Sequence, residues 1–420
     1  MEKRKLLSLQ NIESNTCYDG CTFYLPKGSV YSLKNSSFRN CSFRSSVTFC
    51  YLENCLFENS GFSNGCAINL SGQGLKEIPQ WIFSFPFITH LNLSKNKLKT
   101  LPIEFSQFQD LQQLDLSKNR ISLLPSVLCE LYELRLLDLL QNNICTVPAE
   151  LAQLSNLCEL DLSKNSICSL PTELSQLRNL CRLSLSHNHL STLSFGIKDL
   201  QNLVHLSAVS NKIRKIPLEM VELQHLKRLC LSYNQIVDIP SELGQLQNLS
   251  VLLLSNNRIH SLPSDFGQLH NLTRLSLDNN QISDFPTEFR QLHNLETLSL
   301  AHNEFTKVPT SLCQLPRLKT LSMHHNSICD FPSEMNQLQT LLGLNLSHNQ
   351  MSYIPNEITQ LKNLTDINLS DNQIQSFPKG IKEMQALSEF CISPDLLSHS
   401  QKNFVKNCLP NCTMSYYSTY

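Results

Sequence analysis

No excess of charge, no long apolar run and no catalytic signature marks this sequence. Its 34 Lys and Arg against 35 Asp and Glu leave a net charge of −1. Such a balance offers no chain-wide attraction to a phosphate backbone, so nucleic acid is not expected as a partner. No apolar run approaches the ~18 residues that a membrane-spanning helix needs, and no membrane insertion is expected. The opening MEKRKLLSLQNIESN is basic but has neither the roughly 7–15-residue apolar stretch nor the small-residue cleavage site of a secretory leader, which predicts a cytoplasmic protein. The patterns GxxxxGK[ST], HExxH and GxSxG and the kinase signatures are all missing, and with them any expectation of catalysis or of a cofactor.

What is present is a period. Asparagine recurs every 23 residues, at Asn96, Asn119, Asn142, Asn165, Asn188, Asn211, Asn234, Asn257, Asn280, Asn303, Asn326, Asn349 and Asn372. Around each runs LxxLxLxxNxL, as in Leu111, Leu114, Leu116, Asn119 and Ile121. A fixed period of roughly 20–29 residues with that pattern marks a solenoid. Leu114 and Leu116 share one side of an extended strand, while Gln113, Asp115 and Ser117 take the other. One such strand buries its leucines only by stacking beside the next repeat. The asparagine stands at the turn toward the core, where its amide can satisfy buried backbone groups. Six residues later comes proline, from Pro79 to Pro171 and again from Pro217 to Pro378, often followed by an acid such as Glu173. Proline at a first helical position and an acid in the first turn predict a short helical or 3₁₀ segment on the opposite side. Weaker frames centred on Gln73 and Asp395 extend the thirteen asparagine frames to fifteen. The rules lapse in one place, where Ser194 replaces the proline, Gly196 the glutamate and Ala208 a core leucine.

The frame implies three regions: a cysteine-containing capping region at 1–65, the solenoid at 66–398 and a polar cap or tail at 399–420. The first lacks the 23-residue frame but shows short quasi-repeats, Gly20-Cys21-Thr22-Phe23, Asn40-Cys41-Ser42-Phe43, Asn54-Cys55-Leu56-Phe57 and, at its border, Gly65-Cys66-Ala67-Ile68, read as irregular strands that cover the first repeat. The 17 cysteines are odd in number and cannot all pair within one chain. In a reducing cytosol they are expected as thiols filling small apolar sites. Cys17, Cys21, Cys50 and Cys55 give no paired CxxC, so no metal is expected there.

Side chains pointing away from the core form columns across the sheet. Four residues before the asparagine stand Asp115, Asp138 and Asp161, with Lys95, Lys118 and Lys164 nearby. They read either as a solvated charged face or as a docking patch for a basic segment. Six residues before it stand Arg182, His205, Arg228, Val251 and Arg274, near Tyr233. Arginine and tyrosine are enriched where binding energy concentrates, and an acidic or phosphorylated peptide fits such a column. His302, His325 and His348 share a third column, ~5 Å apart. They read as polar surface residues, with metal binding or a pH response as the alternative and no carboxylate placed beside them.

The repeat LxxLxxLxLSxNxIxxLPxExxQLxNL, well shown by Asn156 to Leu180, resembles the 23-residue leucine-rich repeats of intracellular proteins. These include the Ras-pathway scaffold group and the plant intracellular Ras-group-related proteins. The resemblance covers about residues 66–398. It implies an α/β fold, a right-handed leucine-rich-repeat solenoid or horseshoe with a concave parallel β-sheet and short helical or 3₁₀ convex segments. It also implies a monomeric, non-enzymatic scaffold or adaptor in intracellular signalling, binding protein partners along the concave face. Two alternatives stand beside it: a regulatory or targeting subunit of a single phosphatase, kinase or ubiquitin ligase, and an extracellular recognition protein.

Overall fold

The computed structural model describes residues 2–5, 8–26, 29–45, 47–53, 55–58, 60–62, 65–85, 87–393 and 397–416; Asn54 and Asp395 lie outside them. The chain forms two compact units, Met1–Leu190 with Ser194–Leu203, and Ser191–Leu193 with Val204–Tyr420. The division falls in the repeat where the proline rule lapses. There Gly196 takes φ 78° and opens a shortened 3₁₀ turn, Ile197–Asp199. A Cβ at Gly196 would lie 2.9 Å from Ser175 Cβ, so the left-handed backbone and the close approach both require glycine.

Both units are parallel sheets of repeated short strands. In unit 1 the register runs Leu91↔Leu114↔Leu137↔Leu160↔Leu183, one residue per repeat. In unit 2 it runs from Leu206↔Leu229 to Ile367↔Phe390. Every one of these inward residues is at most 3% exposed. Between strands the chain returns through 3₁₀ segments such as Thr172–Gln176. Leu174 within the segment, Leu177 at its end and Leu180 beyond it are all fully buried. Proline stands one place earlier than the sequence suggested: Pro171 is extended (φ −69°, ψ 147°) and caps the segment, its carbonyl receiving the Leu174 N–H. Unit 2 ends in a helix, His399–Cys408, started by a reciprocal Ser398–Gln401 capping box, and a last strand, Thr413–Tyr416, that pairs with Glu389–Ile392. Among the described residues no helix is long and apolar enough to cross a membrane.

The described residues of 1–65, expected as irregular strands, form short parallel strands that recur every 19–20 residues as a coil. Tyr18 pairs with Phe38 and Phe38 with Phe57, while Phe43 pairs with both Phe23 and Phe62. Two ring stacks result, with centroids 4.4–4.9 Å apart in the first and 4.3–4.6 Å in the second. Asn15, Gly20, Asn35 and Asn40 take positive φ at the corners. Asparagine visits that conformation more readily than most residues, and across adjacent turns Asn35 Nδ2 donates to Asn15 Oδ1 at 3.1 Å. A third side of the coil, Val30–Lys34 and Val47–Glu53, leads through Cys66–Asn69 into the sheet of repeats.

The asparagine ladder behaves as its position predicts. Asn257 Nδ2 donates to Leu254 O at 2.8 Å and to Leu231 O of the preceding repeat at 3.1 Å, while its Oδ1 accepts the Ile236 N–H at 3.0 Å. All 17 cysteines are thiols, and burial pushes Cys129 up to about 11 and Cys313 to about 12. Asn257→Leu should leave the buried Ile236 N–H without a partner, while the Leu231 and Leu254 carbonyls each lose one donor and keep the amides of Asn234 and Asn280. At about 1–3 kcal/mol for one buried orphan, a loss of about 1–3 kcal/mol is expected. Urea unfolding of the full chain measures it; a variant within about 0.5 kcal/mol of wild type would remove the ladder from the account of stability.

Candidate functional site

The face of each sheet opposite the leucines carries side chains that packing does not fix, and every sequence-predicted site residue lies on it or on its rim. In unit 1 Asp115, Asp138 and Asp161 stand in adjacent strands at one register. The sequence reading gave them no structural task, and the structure supplies one. Asp115 Oδ1 accepts Ser117 N at 2.9 Å and Ser117 Oγ at 2.7 Å; Asp138 accepts Leu140 N at 2.9 Å and Asp161 accepts Ser163 N at 2.8 Å. Each holds the backbone N–H two residues on, where the strand ends. Asn92, Asn345 and Asn368 do the same with neutral amides. The central carboxyl, Asp138, is pushed up to about 6, first by burial and then by the flanking Asp115 and Asp161, against the Leu140 bond and Lys118. A hollow of about 340 Å³ beside it includes His90, Asn92, Gln113 and Asp115 in its lining.

Arg182 also belongs to unit 1. Its Nη1 lies 3.1 Å from Glu159 Oε1, with side chains 56% and 41% exposed. A pair this open contributes little stability, but it leaves Arg182 less available than an unpaired arginine. His205, Arg228 and Arg274 belong to unit 2, in a column that continues through Thr297, Thr320 and Gly343 to Asp366 and Glu389. Sequence reading followed the basic half of this column and missed the acidic half, although the 23-residue step reaches it directly.

Tyr233, 57% exposed, lies on the rim of unit 2, which runs from Ser210 through Tyr233, Asn256, Asn279, His302, His325 and His348 to Asp371. All of these rim residues have φ between 52° and 58°. His325 stacks on His302 at 4.1 Å and on His348 at 3.9 Å, with ring planes 10° and 11° apart. His324 meets the stack edge-on at 5.5 and 5.4 Å. Ring nitrogen lone pairs lie in the ring plane, so a face-to-face stack points them sideways rather than at a shared ion; among the described residues no group of His, Cys, Asp or Glu is placed to hold a metal. The expectation that no carboxylate stands beside the histidines is corrected: His348 Nε2 lies 3.1 Å from Asp371 Oδ2, the next step of the same column.

A leucine-rich repeat region model matches residues 211–309 and 308–413, and a leucine rich repeat model matches residues 67–121 and 132–190. Among solved structures, a leucine-rich-repeat protein of Leptospira interrogans is 37% identical across 83% of this chain and 95% of its own, with a TM-score of 0.79. An internalin, InlF, of Listeria monocytogenes is 29% identical across 68% of this chain and 81% of its own, with a TM-score of 0.61. The plant peptide hormone receptor RGFR1, solved in complex with RGF2, shares the fold at 21% identity, covering 99% of this chain and 80% of its own with a TM-score of 0.68. No curated protein matches the chain.

Two titrations can be predicted. Asp138 is raised in the folded state, so its ionisation costs stability; that cost is complete above about pH 6 and vanishes toward pH 4. Asp138→Asn keeps an acceptor for Leu140 N, as Asn92 does for Ser94. It should stabilise at pH 7 by about 1 kcal/mol, after discounting for solvent screening, and by nothing near pH 4. Equal effects at both pH values would show that charge is not the cause. His324 and His325 are held below the ordinary imidazole range, His324 by burial and then His302, His325 by burial and then His348, with Asp278 and Asp371 opposing. A lowered histidine resists protonation in the fold, so stability present at neutral pH is lost as pH falls through about 6.5. The melting temperature of His325→Gln should fall less than wild type's between pH 7.5 and 5; an identical fall would exclude the stack as the source.

Proposed function

The chain belongs to the leucine-rich-repeat family, and from that premise we propose that it is a non-enzymatic scaffold or adaptor, a monomer acting in cytoplasmic signalling, that binds protein partners on the exposed face of its sheets. One observation carries the reading: each strand commits its inward residues wholly to the core and leaves an ordered, laterally continuous array of side chains on the other face. Asp115, Asp138, Asp161, Arg182, His205, Arg228, Tyr233, Arg274, His302, His325 and His348 are the residues proposed to meet a partner. Arginine and tyrosine among them suit a protein contact, and repeat arrays characteristically bind along such extended faces. The coil of 1–65 is proposed as the cap of the array's first repeat, residues 66–398 as the binding solenoid, and 399–420 as its closing cap. The 17 cysteines, all thiols, suit a reducing compartment.

Photo-crosslinking in the full-length protein tests the reading. A crosslinking amino acid at Thr297 or Thr320, on the sheet face, should capture partners in cells. The same group at Thr287 or Arg290, exposed beside the 3₁₀ segments, should not. Several partners assembled together would fit a scaffold, and one stoichiometric enzyme a targeting subunit. Capture from Thr287 or Arg290 with none from the sheet face would overturn the proposal.

A further inference from the structure

The exposed column of unit 2 is segregated by charge along its length. Arg228 and Arg274 stand near one end, with Lys227 beside Arg228. Asp366 and Glu389 stand in adjacent strands near the other end. Between them lie Thr297, Thr320 and Gly343, which project nothing longer than a hydroxyl-bearing stub. Arg228, Arg274, Asp366 and Glu389 are all exposed, and none of the four has an ion-pair partner among the described residues. Other charges on this face are occupied. Lys319 Nζ pairs with Glu296 Oε2 at 2.9 Å, and Asp278 accepts hydrogen bonds from Ser276, Ser299 and the Ala301 N–H. The lack of a side chain at Gly343 opens a hollow of about 370 Å³ whose lining includes Thr320, Asn345, Asp366, Asn368 and Glu389. Asp366 holds only the Thr365 hydroxyl, at 2.6 Å, and with no cation paired to either carboxylate among the described residues the two like charges in adjacent strands repel one another beside an open hollow.

We propose that this face binds an extended segment of a partner protein that carries carboxylates at one end, over Arg228 and Arg274, and a lysine or arginine at the other, seated in the hollow at Gly343 between Thr320 and the Asp366–Glu389 pair. The inference rests on the protein-binding reading above and adds the partner's charge order and spacing. Four strand steps separate Arg274 from Asp366, about 19 Å at ~4.8 Å per step, which an extended chain covers in about six residues. The acidic and basic ends of the segment are therefore about six residues apart. Pairing both ends at once raises affinity, since the second contact forms within a complex already held by the first. It also rejects segments of uniform charge, whose wrong end meets a like charge.

The test uses the full-length protein and labelled synthetic peptides at low salt: one with a short glutamate run, about six Gly and Ser residues and a short lysine run, one with serines in place of the lysines, and one with the spacer cut to about two residues. The bipolar peptide should bind about tenfold tighter than the other two. That gain should disappear in the Asp366→Asn, Glu389→Gln variant, which keeps both side chains' shape and hydrogen-bonding capacity. A bipolar peptide that binds no better than the acid-only one, or a gain that survives in the variant, overturns the charge order; if crosslinking from Thr297 and Thr320 still captures partners, the protein-binding reading stands without it. Sedimentation of the chain alone guards against a second copy as the occupant. A dimer that the same two substitutions dissolve would assign the face to self-association and overturn the peptide proposal.

Discussion

The side-chain amide of the recurring asparagine is the interaction on which the rest of each unit depends. Its Nδ2 holds the carbonyl three residues back and, at the same time, a carbonyl of the preceding repeat; its Oδ1 takes an N–H from that repeat. These bonds stitch neighbouring turns together where the strand ends and the ladder of the sheet has no further partners to offer. They also dictate the residue before the asparagine. That residue is left-handed in every asparagine frame, with φ between 52° and 58° and no glycine among them. A left-handed non-glycine residue costs roughly 1–2 kcal/mol, which three hydrogen bonds at about 1 kcal/mol each can offset. The outcome at the surface is a rim of residues chosen freely by chemistry but fixed in backbone direction. Lys95, Lys118, Lys164, Tyr233 and the three stacked histidines all occupy it.

Most of the fold was legible because its constraints repeat at one spacing. Leucine, asparagine and proline each serve the same task in every turn, so a single period exposed all three. The N-terminal coil escaped because its period is shorter. Tyr18, Phe38 and Phe57 step by 20 and 19 residues, as do Phe23, Phe43 and Phe62. A frame of 23 cannot register with them, and the quasi-repeats at Gly20–Phe23 and Asn40–Phe43 each take in only one corner and one short strand of that longer turn. Ring stacking, rather than leucine interdigitation, fills this part of the core, and stacking at 4.3–4.9 Å follows the strand spacing directly.

The site was legible residue by residue and poorly legible as a set. Each column was present in the sequence at steps of 23, yet selecting residues of one chemical type from a column concealed their neighbours. Glu159 is one step before Arg182 and pairs with it. Asp371 is one step after His348 and pairs with it. Asp366 and Glu389 complete the column that begins with the arginines. None of these pairings needs tertiary information beyond the repeat, because a parallel in-register stack turns sequence distance into lateral distance. The ring stacking of the histidines is different. It depends on the left-handed backbone that presents each imidazole flat against the next, and no periodicity argument supplies that.

Telling structural from functional charge on such a face comes down to what each position demands. Four residues before the asparagine, the demand is an acceptor for the N–H two residues on. Asparagine meets it at Asn92, Asn345 and Asn368; aspartate meets it at Asp115, Asp138 and Asp161 with one negative charge more than the hydrogen bond requires. Burial first, and then the flanking carboxylates, raise Asp138 out of the ordinary carboxylate range, so its charge works against the fold there. Six residues before the asparagine there is no acceptor or donor to satisfy, and the column passes from arginine through threonine and glycine to acid. A charge that destabilises the unit carrying it, or that sits where the backbone asks for nothing, is not explained by the solenoid. Asp138 of unit 1 meets the first condition and the charge-ordered column of unit 2 meets the second, and the proposed binding draws on those two places.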